Sequence, residues 1–243
     1  MRLNRHILSN TDMLRQIITD TVNFIFPPVC IVSDQRLPEE NSNKYISDEI
    51  FTTLETTSLQ DLVDLKAKLD SDEYFGFYTL RPESRMEKVV HHIKYSGMRN
   101  LGVFMGEVIG KILSERCKGY DYIIPVPLHK VRIRERHYNQ SDYIVKGISK
   151  ETGIKALTNA VKRIRYTKTQ TRLTRAERIE NVRGAFEINE EFRERLKGKN
   201  LIVMDDIITT GSTVNEVIRI LKENGCGKIL GGCLAMARDP KEL

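Results

Sequence analysis

Apolar positions recur at helical spacing in the first part of the chain, then give way to short unbroken runs alternating with helical periods. From about Asp12 the residues Leu14, Ile17, Ile18, Thr21, Val22 and Ile25 predict an amphipathic helix that Pro27-Pro28 stops. The stretch 34–72 is polar and acidic, with one leucine-spaced helix on Leu59, Leu62, Leu65 and Leu69. From Tyr74 the pattern changes. Residues 74–80 read as a strand, Met86, Val89, Val90 and Ile93 as a helix face ending near Gly97, and Leu101, Phe104, Met105, Val108, Ile109 and Ile112 as a second face. Residues 121–126 form a short buried strand and 141–148 begin a helix. Residues 201–204 are a continuous apolar strand, Val214, Val217, Ile218 and Leu221 line a helix capped by Gly225, and 228–237 close with a last strand. This alternation predicts an α/β fold with a mostly parallel sheet flanked by helices, whose ligands bind beyond the carboxyl ends of the strands. The expected division is a small N-terminal helical module over 1–73 and a main domain over 74–243.

Charge sharpens that division. Residues 1–73 hold 7 Lys and Arg against 13 Asp and Glu, whereas the remainder holds 32 against 20, so the main domain carries the field that attracts phosphates, pyrophosphate or nucleic acid. No apolar run approaches the roughly 20 residues of a membrane helix, so no membrane span is expected. Residues 1–9 lack the apolar stretch of a signal peptide, and a cytoplasmic location is expected. The four cysteines, Cys30, Cys117, Cys226 and Cys233, are scattered and predict no disulfide framework.

Chemistry concentrates in the run from Asp205 to Thr213. A strand buried on both faces delivers Asp205 and Asp206 to its carboxyl end, and a turn of small hydroxylated residues precedes a helix. Backbone N–H groups and the helix dipole make such a turn an anion nest. Hydroxyls of Thr209, Thr210, Ser212 and Thr213 can donate to phosphate oxygens, and Gly211 permits close backbone approach. Two adjacent carboxylates suit vicinal ribose hydroxyls and a nearby divalent cation. His91 and His92 read as packing or surface residues, and no Ser/His/Asp or Cys/His arrangement follows from spacing.

The run resembles the signature of type I phosphoribosyltransferases, two acids followed by a Thr-Thr-Gly-x-Thr loop. More of the chain resembles the ComF family of competence-associated, phosphoribosyltransferase-like proteins. The segments Phe26-Pro-Pro-Val-Cys30, His92-Ile-Lys94-Tyr95-Ser-Gly97, Pro125-Val-Pro127-Leu-His129 and Arg134-Glu-Arg136-His-Tyr138-Asn139-Gln140-Ser141 follow the family's order. So do Gln170, Arg178, Asn181, Val182, Gly184, Ala185 and Phe186.

The resemblance implies phosphoribosyl pyrophosphate as ligand, with Mg2+. Asp205 and Asp206 would form the catalytic pair on the ribose, the 209–213 loop would hold the 5-phosphate, and Lys130, Arg132 and Arg134 the pyrophosphate. Arg165 and Gln170 would contribute from a flap. Residues 162–183 carry eight basic residues against two acids and read as that flap, which would exclude water while a cationic sugar exists. Thr174-Arg-Ala-Glu177 reads as a capping box that restarts a helix after it.

Three readings stay open at this point: phosphoribosyl transfer to a nitrogen nucleophile, regulation by binding without turnover, and handling of single-stranded DNA beside a helicase-like competence partner. In the DNA reading Tyr138 and Tyr166 would stack bases. Thr209 stands where 6-oxopurine salvage enzymes place an acid, so protonation of a purine ring nitrogen lacks its usual agent. His137 stands where the family prefers glycine, which puts that loop's backbone shape in question.

The family's zinc module requires four sulfur ligands. Here Cys30 stands, but Ser33, Ser47 and Ile50 occupy the other three positions. Elemental analysis of the purified protein should therefore find far less than one zinc per chain, and a stoichiometric zinc would overturn the reading.

Overall fold

The structure is a computed structural model that describes residues 24–166 and 175–238, together with the isolated positions 18 and 21. Most of the helix expected from Asp12, residue Gln170 and the cap at Thr174 lie outside the described residues. Two compact units divide between Thr53 and Leu54. The first contains α1 (Asp48–Thr52), whose N-cap Ser47 accepts a hydrogen bond from the Ile50 N–H, and an antiparallel bridge between Val29 and Arg36. Cys30 is buried there. Burial pushes its thiol up, but hydrogen bonds from Ser33 and Ser47 outweigh this and bring it down to about 7. The Ser47 N–H donates to Sγ at 3.4 Å. Two positions read as lost metal ligands thus solvate the one sulfur that remains.

The second unit is built on a five-stranded parallel sheet. Its order is β1 (Glu73–Leu80), β7 (Ile229–Ala237), β6 (Leu201–Ile208), β2 (Tyr122–Pro125), β3 (Lys155–Ala156). Leu201 to Met204 are fully buried, as a strand covered on both faces requires. A separate antiparallel pair, β4 (Val161–Arg163) with β5 (Phe186–Ile188), stands apart from the sheet. Among the described residues no helix is long and apolar enough to cross a membrane.

The helix on Leu59 to Leu69 belongs to this second unit and not to the N-terminal module, so the observed boundary lies before the expected one. Its helix α2 (Leu59–Lys68) starts at a capping box between Ser58 and Asp61 and buries Leu65 against the core that includes β6 and β7 residues. Its last carbonyl, on Lys68, accepts a 2.7 Å hydrogen bond from Asn215, and Asn215 in turn accepts from the Asp70 N–H at 3.0 Å. Burial decided the boundary here: the helix lies in an acidic stretch of sequence, yet its inner face completes the sheet unit.

The helices α3 (Arg85–Tyr95) and α4 (Arg99–Leu113) follow β1, and their apolar faces fall where periodicity expects them. Two further helices come after β2, α5 (Lys130–Arg136) and α6 (Gln140–Thr152). One feature of α4 is missing from the apolar reading. Gly106 faces Gly147 of α6 so closely that a Cβ on Gly106 would lie 2.0 Å from the Ile144 carbonyl oxygen, and one on Gly147 would lie 2.1 Å from that of Val103. Two backbones, not two side chains, make this contact. Because helix backbone cannot yield as a side chain can, Gly106→Ala should destabilise by about 3 kcal/mol or more, at or beyond the usual range for overpacking. A thermal melt is the check, and an unchanged Tm would show that the two helices can separate freely.

Candidate functional site

The connections of the sheet leave one natural crevice. Chain leaving β2 runs on to β3 on one side, and chain leaving β6 runs on to β7 on the other, which is the arrangement that opens a ligand site at strand carboxyl ends. Pairing between β2 and β6 stops at Pro125 opposite Met204, with one further bond from the Val126 N–H to the Met204 carbonyl at 2.8 Å. The next two residues of β6 are Asp205 and Asp206. They remain within the strand and not after it, since β6 continues beside β7 through Ile208 opposite Met236. Beyond Met204 the side once held by β2 is open, and the two carboxylates face a cavity of about 390 Å³.

The carboxylates are held differently. Asp206 forms an ion pair with Lys94 at 3.2 Å, near the end of α3. Asp205 accepts hydrogen bonds from the Ser141 hydroxyl at 3.2 Å and the Asp206 N–H at 2.9 Å. Burial and the neighbouring Asp206 charge together raise the Asp205 carboxyl well above the ordinary carboxylate range, with Lys94 and Ser141 only partly opposing them.

The turn that follows is shaped by its neighbours. Gly211 has φ 77°, and a Cβ there would lie 2.6 Å from the Lys68 carbonyl oxygen. Close backbone approach is therefore real, but it is to the end of α2 that the glycine yields. Gly211 is the N-cap of α9 (Ser212–Glu223), the helix after β6 as α8 (Glu190–Leu196) is the helix after β5, and the hydroxyls of Thr210 and Ser212 lie 3.1 Å apart. Thr209 and Thr213 line the cavity, whereas Thr210, Gly211 and Ser212 do not.

Of the expected cations, Arg132 reaches the cavity and Lys130 and Arg134 do not. They lie on α5, where residues two apart point to different sides and Arg132 and Arg136, four apart, share one. Arg165 also turns away, donating to the carbonyls of Asn181 at 3.2 Å and Arg183 at 2.7 Å, at the end of α7 (Arg175–Val182). Its place at the cavity is taken by Arg163, at the end of β4, with Arg178 from α7. Burial disfavours the charge on Arg163 while Asp205 favours it. Tyr166 meets His129 edge-on at 5.2 Å, and both line the cavity. Tyr138 is buried and its hydroxyl donates to the Ile93 carbonyl, so it cannot stack a base. His137 adopts φ 65°, the left-handed conformation that glycine takes freely, so the loop keeps a glycine-like backbone without the glycine.

Lys94, Tyr95 and Arg136 lay in recognised segments, but spacing assigned them no role at the site. Ser141 also ended a recognised segment without a role, since only the packing of α6 against β6 brings it to Asp205.

Residues 104–242 match the phosphoribosyl transferase domain family. This chain belongs to that family. It is 38% identical over 115 residues to competence protein F of Haemophilus influenzae, covering 47% of this chain and 50% of that protein. It is 29% identical over 154 residues to DNA utilization protein YhgH of Escherichia coli K12, covering 61% of this chain and 66% of that one. These relatives bear out the resemblance to the ComF family, although the matches span only half to two thirds of their length. Two solved structures also align in part. The allosteric regulatory enzyme of purine biosynthesis matches 58% of this chain and 29% of its own at 19% identity and TM-score 0.39. The L. donovani hypoxanthine-guanine phosphoribosyl transferase matches 59% and 75% at 9% identity and TM-score 0.35.

The raised Asp205 carboxyl has a stability consequence. A carboxyl that titrates higher folded than unfolded stabilises the fold below its unfolded value and loses that contribution as pH rises through the folded value, near 7 here. Above that, wild type carries a desolvated charge that Asp205→Asn removes. The variant should therefore raise Tm by a few degrees at pH 8 and by clearly less at pH 5. An equal effect at both pH values would mean that Asp205 does not titrate in this range.

Proposed function

We propose that this cavity binds 5-phosphoribosyl-1-pyrophosphate with magnesium, and that the reaction is transfer of the phosphoribosyl group to a nitrogen nucleophile. The observation that carries the reading is the meeting of opposite chemistries in one crevice. Asp205, Asp206, Thr209 and Thr213 line it together with Arg132, Arg136, Arg163 and Arg178. Carboxylates suit ribose hydroxyls, the turn before α9 suits a terminal phosphate, and the arginines suit pyrophosphate. Asp205 and Asp206 also fit a magnesium ion that arrives on the pyrophosphate, because two carboxylates are enough when substrate oxygens and water complete its shell. Such an ion would supply charge neutralisation for the leaving group. The protein's own contribution is electrostatic. As the bond from C1 to the pyrophosphate oxygen breaks, the arginines stabilise the departing anion and the carboxylates the cationic sugar, and the nitrogen then bonds to C1 and gives up its proton to water.

A second reading, binding of single-stranded DNA, is supported by the relatives named for competence and DNA utilization and by the exposed Tyr166 beside His129 among cations. Lys168 and Arg172, two of the basic residues of 162–183, lie outside the described residues.

Calorimetric titration with the sugar pyrophosphate and magnesium tests the first reading. Wild type should bind, and the double variant Asp205→Asn, Asp206→Asn should bind roughly a hundredfold more weakly, since each lost charged contact weakens binding by about 1.5 to 3 kcal/mol. No binding to wild type at millimolar ligand would overturn it. In the second reading an oligothymidylate binds instead, with log affinity falling against log salt by about 0.7 per phosphate neutralised, and Arg132→Ala with Arg163→Ala flattens that slope.

A further inference from the structure

A second cavity, of about 480 Å³, adjoins the first and shares Lys94, Tyr95 and Arg136 with it. Its other walls include Arg99, at the start of α4, and His137. Among the described residues neither Arg99 nor Arg136 forms an ion pair. Both are nevertheless held in place by uncharged groups. Arg99 donates to the His137 carbonyl at 3.4 Å and lies over the rings of Tyr138 and Tyr143, 5.2 and 5.8 Å from their centroids. Arg136 donates to Gln140 at 3.1 Å and to the Tyr95 hydroxyl at 3.4 Å, and stacks over the Tyr95 ring at 5.2 Å. The carboxylate in this lining, Glu135, is engaged by Arg132 at 2.7 Å, and Lys94 is engaged by Asp206.

Two guanidinium groups fixed beside one hollow, with neutral partners that orient them and no acid that neutralises them, are prepared for an anion. The carbonyl that Arg99 uses belongs to His137, whose backbone is left-handed.

We propose that this adjoining cavity is a second anion site that takes a phosphate group, so that the ligand sharing the crevice with the sugar pyrophosphate is itself phosphorylated. The proposal rests on the reading of the first cavity for its second half only. An uncharged nucleobase would leave Arg99 and Arg136 in the lining of the hollow without a counter-ion. A phosphate ester supplies the missing counter-charge, and the three shared residues put it next to the reacting sugar.

Inorganic phosphate is the probe, its binding followed by equilibrium dialysis in wild type, Arg99→Gln and Arg99→Lys, each with and without saturating sugar pyrophosphate and magnesium. Arg99 is exposed and lines only the second cavity, so the sugar pyrophosphate affinity should be the same in all three. Phosphate should still bind when the sugar pyrophosphate is present. Arg99→Gln should weaken that binding roughly ten- to a hundredfold, as loss of one charged contact does. Arg99→Lys should recover part of it, and matching thermal melts exclude a folding defect. Equal phosphate binding in wild type and Arg99→Gln would overturn the second site, as would complete displacement of phosphate by the sugar pyrophosphate. If phosphate binding depends on Arg99 while the sugar pyrophosphate binds to none of the three proteins, the reading of the first cavity fails, the anion site stands, and a phosphorylated co-ligand is overturned.

Discussion

Two carboxylates placed side by side on a half-buried strand repel each other and lose hydration, and most of the site's construction answers that difficulty. Lys94 neutralises Asp206 from α3, and Ser141 solvates Asp205 from α6. What remains uncompensated appears as the raised Asp205 carboxyl. A strand that ended at Met204 would have let both acids relax into water. Because β6 goes on beside β7 to Ile208, they are held at the crevice wall, and a ligand with hydroxyls, cationic character or a bound metal can supply what the protein leaves short.

The rest of the unit serves to keep that strand end in register with its turn. Asn215 ties α9 to the last carbonyl of α2, and Gly211 allows the same carbonyl to approach within a distance no side chain would permit. The turn is thus braced from outside the ligand crevice. A glycine between hydroxylated residues reads naturally as an anion-binding device, yet its neighbour is protein backbone. Damage at Gly211 would act through the fold as well as through any ligand.

The cationic wall illustrates how far spacing carries and where it stops. Basic residues at 130, 132, 134 and 136 look equivalent in an extended segment following a strand. Once they form α5, only Arg132 and Arg136 share the cavity side. Arg165 is equally basic but is used by backbone carbonyls at the end of α7, and Arg163, two residues earlier, replaces it. No count of charges distinguishes these cases, because each depends on which face a local element turns to a distant one.

Local order along the chain was sufficient for the parallel sheet, its flanking helices and the acid pair with its threonine turn, since these follow from apolar periodicity and from residues adjacent in sequence. The family resemblance was legible for the same reason, as a series of short segments in order. Contacts between distant segments lay beyond it. Helix α2 joins the sheet unit because Leu65 fits its core, Gly106 and Gly147 meet because two helices cross there, and Lys94, Ser141 and Arg163 reach the acids from three separate elements. Tertiary structure alone decides these, because burial and charge pairing depend on distance in space, and neither spacing nor composition records which distant residues the fold brings together.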